Sequence, residues 1–380
     1  MEREGDLDPI PIDIIHEILS RSCNKTIARF RFVSKCCALI LTRPEFTELL
    51  LTRSSNQPPR ILFATSYFGK CRLYSCPQPQ NPDEDHSLVV AADLDMELLG
   101  GDMEPKNICG PVSGLLYFSN MRVSKEDIDK VPVICNPSTG QYARLPSLGS
   151  KKSNPRTFLG YDRIGKQYKV LAISISKEIH ILTLVTGKES WRKIQCAVKH
   201  CPISEGICIN GVLYYMAEIN NGVKIIACFD VRYEKLWLLN ADSTPRMMFQ
   251  YYSPKLINYN GKLGVTCWQW HRQPNGRRKS SLDFSMWTLE DAQQQKWFRR
   301  SYYFPVDIAV EGNISVVGAT PNGEIIMSRV YTDNNNPFFV FFFNPERISL
   351  QRVEIQSFEA HGNHSRVYTF VDYAEDLKFI

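Results

Sequence analysis

The sequence predicts a small all-α N-terminal module of about three helices followed by an all-β domain, most simply a β-propeller-like ring of about six blades. Three observations carry this expectation. The spacing of apolar residues changes near residue 56 from helical to short β-type runs. Turn signals of the Asn-Gly type recur through the second part, and a strand-turn-strand unit repeats at a step of 47 residues, from Gly140 to Gly187 to Glu234.

Composition sets the frame. A chain of 380 residues exceeds one ordinary core and suggests a small module plus a large repetitive one. With 43% hydrophobic and 22% charged residues it is a globular composition, and 11% aromatics lean towards strands. The net charge of +5 is mild, and the basic clusters Lys151-Lys152 and Arg277-Arg278-Lys279 are short, so nucleic-acid binding is not indicated. The acidic stretch Met1 to Asp8 has no apolar run of signal-peptide length, which argues against secretion. The densest apolar run, Phe338 to Phe343, suits a buried strand and is far too short for a membrane span. The twelve cysteines form no Cys-x-x-Cys and lie mostly in apolar strands, which reads as buried thiols in a reducing compartment, cytoplasm and/or nucleus.

The helical part runs from Pro11 to Arg53. Ile14, Ile15, Ile18 and Leu19 share one stripe, with Asp13 as the expected N-cap. After a break at Ser22-Cys23-Asn24, Thr26 reads as a second cap before Ile27, Phe30, Val33, Cys37, Ile40 and Leu41, a helix broken near Ser34. Pro44 opens a short last helix to Leu51, and Asn56-Gln57-Pro58-Pro59 cannot continue it. The expected division is residues 5–53, a linker at 54–60, and a β-domain at 61–380.

Strands are expected at Ile61 to Ala64, Gly114 to Phe118, Val131 to Cys135, Tyr168 to Ile175, Val212 to Met216, Ile225 to Phe229, Leu263 to Trp268, Ile314 to Val317 and Phe338 to Phe343. Two units alternate among them. One is an apolar strand ending in a polar turn and followed by a strand with an aromatic or Leu, at Val133 to Tyr142, Ile181 to Trp191, Ala227 to Trp237 and Phe342 to Leu350, with a looser copy around Met286-Trp287 and Trp297. The other is a glycine hairpin at Ser113-Gly114, Asn210-Gly211, Asn260-Gly261 and Asn322-Gly323, where both residues tolerate positive φ. Hairpin plus hairpin is how a four-stranded propeller blade reads. The last strand, Arg366 to Val371, is expected to join the first blade and close the ring.

Those residues carry a family likeness. Pro11 to Arg21, Lys25 to Lys35 and Pro44-Glu-Phe resemble an F-box. Cys109-Gly-Pro-Val-Ser-Gly-Leu, Asn136-Pro-Ser-Thr-Gly-Gln, Leu159-Gly-Tyr-Asp, Ser204-Glu-Gly-Ile-Cys-Ile-Asn-Gly-Val, Cys228-Phe-Asp-Val-Arg and Asn344-Pro-Glu-Arg resemble the plant F-box-associated interaction domain. The resemblance implies a non-catalytic, substrate-recognition adaptor of an SCF-type (Skp-cullin-F-box) ubiquitin ligase, bound to a Skp-type adaptor and through it to cullin, with the β-domain holding an unidentified target protein. It places the adaptor contacts at Pro11, Ile12, Ile14, Ile15, Ile18, Leu19, Phe30, Val33, Ser34, Lys35 and Cys37. The family usually has Leu-Pro at Ser22-Cys23 and Trp at Cys37. Losing an aromatic anchor weakens an interface, which leaves an alternative open, a protein-interaction scaffold whose altered F-box does not engage a ligase.

Sharper chemistry finds little footing. Cys196, His200, Cys201 and Cys208 are the best zinc candidates but lack paired short spacing, so they read as unligated. His16 reads as solvated on the polar side of the first helix, and His180, His271, His361 and His364 have no nucleophile motif beside them. The Asn136-Pro137 and Asn344-Pro345 pairs read as turn initiators. No catalytic residue, metal, cofactor, nucleic acid or membrane is expected. A propeller enzyme or lectin would need recurrent Asp or His at equivalent repeat positions, and the repeats show none.

Overall fold

A computed structural model describes residues 11–22, 24–30, 33, 35–41, 43, 46, 58–67, 70–79, 88–99, 107–124, 126, 129–149, 155–184, 190–196, 198–219, 222–240, 245, 249, 252–272, 279–305, 314–332, 337–356 and 365–376. Three helices come first: α1 (Ile12–Arg21), α2 (Asn24–Phe30) and α3 (Lys35–Leu41). Leu19, Ile27, Ile40, Leu41 and Phe46 form their core, with Ile15 and Phe30 packed against it. The expected break near Ser34 separates α2 from α3.

Both expected caps are corrected. Helix α1 starts directly after Pro11, whose carbonyl accepts from the Ile14 and Ile15 N–H groups, so Asp13 lies within the first turn and caps nothing. Its charge still suits the positive end of the helix dipole. Thr26 lies inside α2, because that helix begins two residues earlier, at Asn24. Of the expected last helix only Phe46 is among the described residues, and it is helical. Cys23, Ser34, Gly187, His361, His364, Lys151-Lys152, Arg277-Arg278 and the side chains of His16, His271 and Lys279 lie outside the described residues.

The remainder is a six-bladed β-propeller. Blade 1 holds β1 (Arg60–Tyr67), β2 (Lys70–Pro77) and β4 (Asp93–Leu99), with the C-terminal strand β25 (Val367–Tyr373) paired to β1. Blade 2 is β5 (Ile108–Val112) to β8 (Gln141–Arg144), blade 3 is β9 (Arg156–Asp162) to β12 (Trp191–Ile194), and blade 4 is β13 (Cys201–Ile209) to β16 (Lys235–Leu238). Blade 5 runs from β17 (Tyr252–Tyr259) to β20 (Lys296–Pro305), and blade 6 from β21 (Ile314–Ala319) to β24 (Ser349–Gln356). The innermost strands β25, β5, β9, β13, β17 and β21 neighbour one another in cyclic order. The expected closure by the last strand is present, in antiparallel register Phe63↔Thr369. A second tie went unread: β3 (Leu88–Ala91), between β2 and β4 in sequence, crosses to blade 6 and pairs in parallel with β24, covering that outer edge.

Each blade is buried on both faces, which explains the unbroken apolar runs. In β23 (Phe338–Asn344), Phe339, Phe341 and Phe343 point to the core shared with blade 5, while Phe338, Val340 and Phe342 point to the core shared with blade 1. In β15 (Lys224–Asp230), Ile225, Ala227 and Phe229 face blade 3, whereas Ile226 and Cys228 face blade 5. Side-chain alternation across a pleated strand thus feeds two cores from one sequence. Near the axis the inner strands approach so closely that a Cβ at Gly318 would lie 2.4 Å from Val371 Cγ2.

The repeat unit has a definite local cause. Asn136, Asp230, Asp291 and Asn344 each end a strand, and each side-chain Oδ1 accepts from backbone N–H groups two or three residues on. This Asx turn closes four residues later on a left-handed residue, Gly140, Glu234, Gln295 or Ile348. The structural reading of both Asn-Pro pairs therefore holds. Three of the glycine hairpins have both central residues at positive φ, Ser113-Gly114, Asn210-Gly211 and Asn260-Gly261. At Asn322-Gly323 only the glycine is left-handed, a correction: the loop is wider and is clamped by Thr320, which bonds Gly323 and Glu324.

Candidate functional site

Strand directions sort the propeller into two unlike ends. The tight turns at 113–114, 137–140, 163–166, 210–211, 231–234, 260–261, 292–295 and 345–348 share one end. The strand ends that flank 145–155, 239–251, 306–313, 330–337 and 357–366 lie at the other, the long-connection end. The chain arrives from the helices at the tight-turn end, where Arg60 opens β1 opposite Tyr373. Arg60 is anchored there by Ser75 Oγ (3.0 Å) and Ser75 O (3.1 Å), with Asp93 and Glu375 each 3.5 Å away. Pro59 is held as well, its carbonyl accepting from the Gln78 N–H at 3.0 Å. Arg60 and Tyr373 therefore lie at the end opposite to the first residues of β9, β13, β17, β21 and β25.

The helical module offers one apolar ridge. Pro11, Ile14 and Ile18 lie at helical spacing along one line, with Ile14 49% and Ile18 50% exposed, while the adjacent Leu19 is fully buried. Ile12 is partly exposed, Val33 and Lys35 are exposed, and Ile15 and Phe30 pack inward. Cys37 is interior, 8% exposed. Leu39, not singled out from the sequence, is 67% exposed. Its helix, Lys-Cys-Cys-Ala-Leu-Ile-Leu, is apolar all round, so the pattern hid which residue faces out. Ser22, at one departure from the family pattern, finishes α1 by donating its hydroxyl to Ile18 O at 2.8 Å.

The propeller axis holds a cavity of about 890 Å³ lined by the inner strands. At the long-connection end it carries Arg156, Arg329 and Arg366, and beside them Lys255 pairs with Glu205 at 2.5 Å. Burial pulls the Arg156 pKa below its ordinary value, with the Glu205 charge acting in the opposite direction.

Two of the four zinc candidates, His200 and Cys196, are engaged in hydrogen bonds. Both ring nitrogens of buried His200 are engaged: Nδ1 is 3.0 Å from Val198 O, which can only accept, so Nδ1 carries the proton and Nε2 accepts from Tyr215 Oη at 2.7 Å. Burial holds this imidazole below its ordinary pKa, in the neutral form. Cys196 Sγ donates to the same Val198 carbonyl, and Cys201 is exposed at the start of β13. Among the described residues no cluster of three or more His, Cys, Asp or Glu is placed to hold a metal. Likewise, no helix among them is long and apolar enough to cross a membrane. Burial pushes the thiols of Cys71, Cys76 and Cys109 up to about 12 and keeps them inert.

A small helical module with an outward ridge, joined to a six-bladed propeller, defines a two-part F-box protein. The pattern of the F-box domain matches residues 7–49, and that of the F-box associated beta propeller domain matches residues 60–374, so the chain belongs to this family. Its relatives include, from Arabidopsis thaliana, "Putative F-box protein At5g52620", 54% identical over 389 residues with both chains fully covered. Another Arabidopsis relative, "F-box protein At3g57590", is 44% identical over 387 residues, covering 98% of this chain and 92% of the relative. Likeness to solved structures is distant. TolB from Acinetobacter baumannii aligns over 83% of this chain and 66% of its own at 12% identity with a TM-score of 0.46. The WD40 domain of SCAP from fission yeast aligns over 85% of this chain and 97% of its own at 10% identity, with a TM-score of 0.38. At that distance neither bears on function.

Proposed function

We propose that the protein is the substrate-recognition adaptor of an SCF-type ubiquitin ligase. The helices, within residues 5–53, bind a Skp-type adaptor and through it cullin, residues 54–60 link, and the propeller, 61–380, holds a target protein for ubiquitination. The chain performs no step of the ubiquitin transfer. The observation that carries this reading is the Ile14–Ile18 ridge, two isoleucines half exposed on a module with the F-box pattern. A module this small buries few of its apolar groups internally, and a partner groove is where such a ridge gains most. Pro11, Ile12, Val33 and Lys35 are exposed as well and extend the proposed contact, with Ser34 as a further candidate. Leu19, Ile15, Phe30 and Cys37 act from beneath, by supporting the helices. Thiols buried in strands suit the cytoplasm and/or the nucleus.

The test is co-purification with a Skp-type adaptor and cullin, comparing wild type with Ile14→Asp/Ile18→Asp. Desolvating unpaired carboxylates should weaken the complex by about a thousandfold or more. Loss of the adaptor with an unchanged melting curve supports the assignment, and undiminished co-purification overturns it. Cys37 favours a second reading: it gives the surface no aromatic anchor, as befits a scaffold that has left the ligase. A wild-type chain that retains a target but never the adaptor would establish that reading.

A further inference from the structure

We propose that the cavity mouth at the long-connection end binds an acidic peptide segment of the target protein, its carboxylate or phosphate oxygens held by Arg156, Arg329 and Arg366. This rests on the target-recognition reading and adds the chemistry of what is recognised.

The three arginines come from different blades yet share one end of the ring. Arg156 is the first residue of β9, Arg329 the last of β22 (Ile325–Arg329), and Arg366 immediately precedes β25. All three line the same cavity. Other charges around it are balanced or remote. Lys255 is paired with Glu205, and Glu218 stands directly across from Lys224 in the β14–β15 ladder. Arg163 and Asp372 belong to the tight-turn end. Among the described residues no carboxylate is within ion-pair distance of Arg156, Arg329 or Arg366, although the Glu205 charge reaches Arg156, so the described lining of this end is net positive, between low-dielectric walls.

Two of the guanidinium groups are held ready. Arg366 lies over the rings of Tyr368 (5.2 Å) and Tyr331 (5.9 Å), and Arg329 over Phe339 (5.5 Å), with one Nη1 donating to Pro337 O at 3.3 Å. Stacking on aromatic faces fixes the planar fork before a ligand arrives, so less entropy is lost on bidentate contact. Arg352 also lies over Phe339, at 4.2 Å. The Nε atoms of Arg329 and Arg366 are both buried without an acceptor. Buried donors left unmade are costly, and anionic oxygens are the acceptors that pair with such a fork best.

A peptide fits this site better than a nucleic acid. The positive charge is confined to a mouth on a cavity of about 890 Å³, whereas a phosphate backbone needs an extended basic track. Elsewhere on the propeller, cations are spent on local partners: Lys70 and Arg72 both hold Glu97, and Lys193 holds Glu178.

The test selects binders to the full-length chain from random peptides of about a dozen residues, in one pool with serine and in a second with phosphoserine. Wild type should enrich Asp and Glu in the first pool or phosphoserine in the second, and the stronger pool assigns carboxylate or phosphate. Arg156→Gln, at a residue with no stacked ring, should weaken the selected peptide about tenfold or more. Arg366→Lys, which keeps the charge and loses the fork, should weaken it too. Enrichment without net acidity, no enrichment in either pool, unchanged affinity in Arg156→Gln, or equal competition by an oligonucleotide each overturns the proposal. Adaptor co-purification on the same preparation keeps the two readings apart. Adaptor retained with no acidic selection defeats this inference alone, and acidic selection with no adaptor defeats the ligase reading alone.

Discussion

Gln78 and Asp372, 294 positions apart, hold each other twice: Gln78 Nε2 donates to Asp372 Oδ1 at 2.9 Å, and the Asp372 N–H donates to Gln78 Oε1 at 3.0 Å. The pair joins the closing strand β25 to the segment whose backbone holds Pro59, so the seam of the ring and the exit of the linker are one assembly. Gln78→Ala leaves two buried groups unpaired and should cost about 1 to 3 kcal/mol, read from urea unfolding.

The same pair gives a pH dependence. Burial raises the Asp372 carboxyl above its ordinary 3.8, against the pull of the Gln78 donor. The folded state thus holds this proton more tightly than the unfolded chain, so its contribution is greatest below about 3.8 and is lost as pH rises through the raised value. Asp372→Asn keeps the acceptor and tolerates the left-handed backbone there, and it should melt higher than wild type at neutral pH. An unchanged or lower melting temperature would count against a buried, strained charge.

His200 acts in the opposite sense. Its pKa lies below the ordinary 6.5, so unfolded chains take up a proton that the folded state resists. Stability should be full above about pH 6.5 and should decline as pH falls through that value. His200→Gln should flatten this decline; the same slope in wild type and variant would show that another group titrates.

Neighbouring positions on α1 should behave differently. Leu19→Ala empties a fully buried site and should cost the helical module about 2 to 5 kcal/mol, whereas Ile18→Ala, on the half-exposed ridge, should change its stability by about 0.5 kcal/mol or less. Thermal melts of both variants, followed by adaptor titration, separate support from contact.

Cys37→Trp tests the departure from the family pattern. An indole in a site only 8% exposed must displace its neighbours, at a cost of about 1 to 3 kcal/mol. A variant as stable as wild type with tighter adaptor binding would instead place position 37 at the interface.

The division at the linker is tested by limited proteolysis. Cleavage near residues 54–60 should leave a stable fragment of β-type circular dichroism beginning near Pro58. Rapid loss of that fragment would show that the helices are needed to keep the ring folded.

Local chemistry made much of this protein legible from its sequence. The helical stripe at Ile14 to Leu19, the Asx turns at Asn136, Asp230 and Asn344, and the left-handed Asn210-Gly211 and Asn260-Gly261 pairs depend on residues within a few positions of each other. Their recurrence was enough to read blades, and the apolar Arg366 to Val371 segment was enough to read a closing strand. What the tertiary structure alone decided is long-range. The parallel docking of β3 on β24 joins segments more than two hundred residues apart, and no local signal marks it. The division of one stripe into buried Leu19 and exposed Ile18 is set by where α2 and α3 lie, and likewise Leu39 faces out while Cys37 faces in. Arg156, Arg329 and Arg366 are unremarkable in sequence, each next to ordinary strand residues. Only ring closure brings them to one mouth, because a circular arrangement of parallel inner strands superimposes the same end of every blade whatever the distance along the chain.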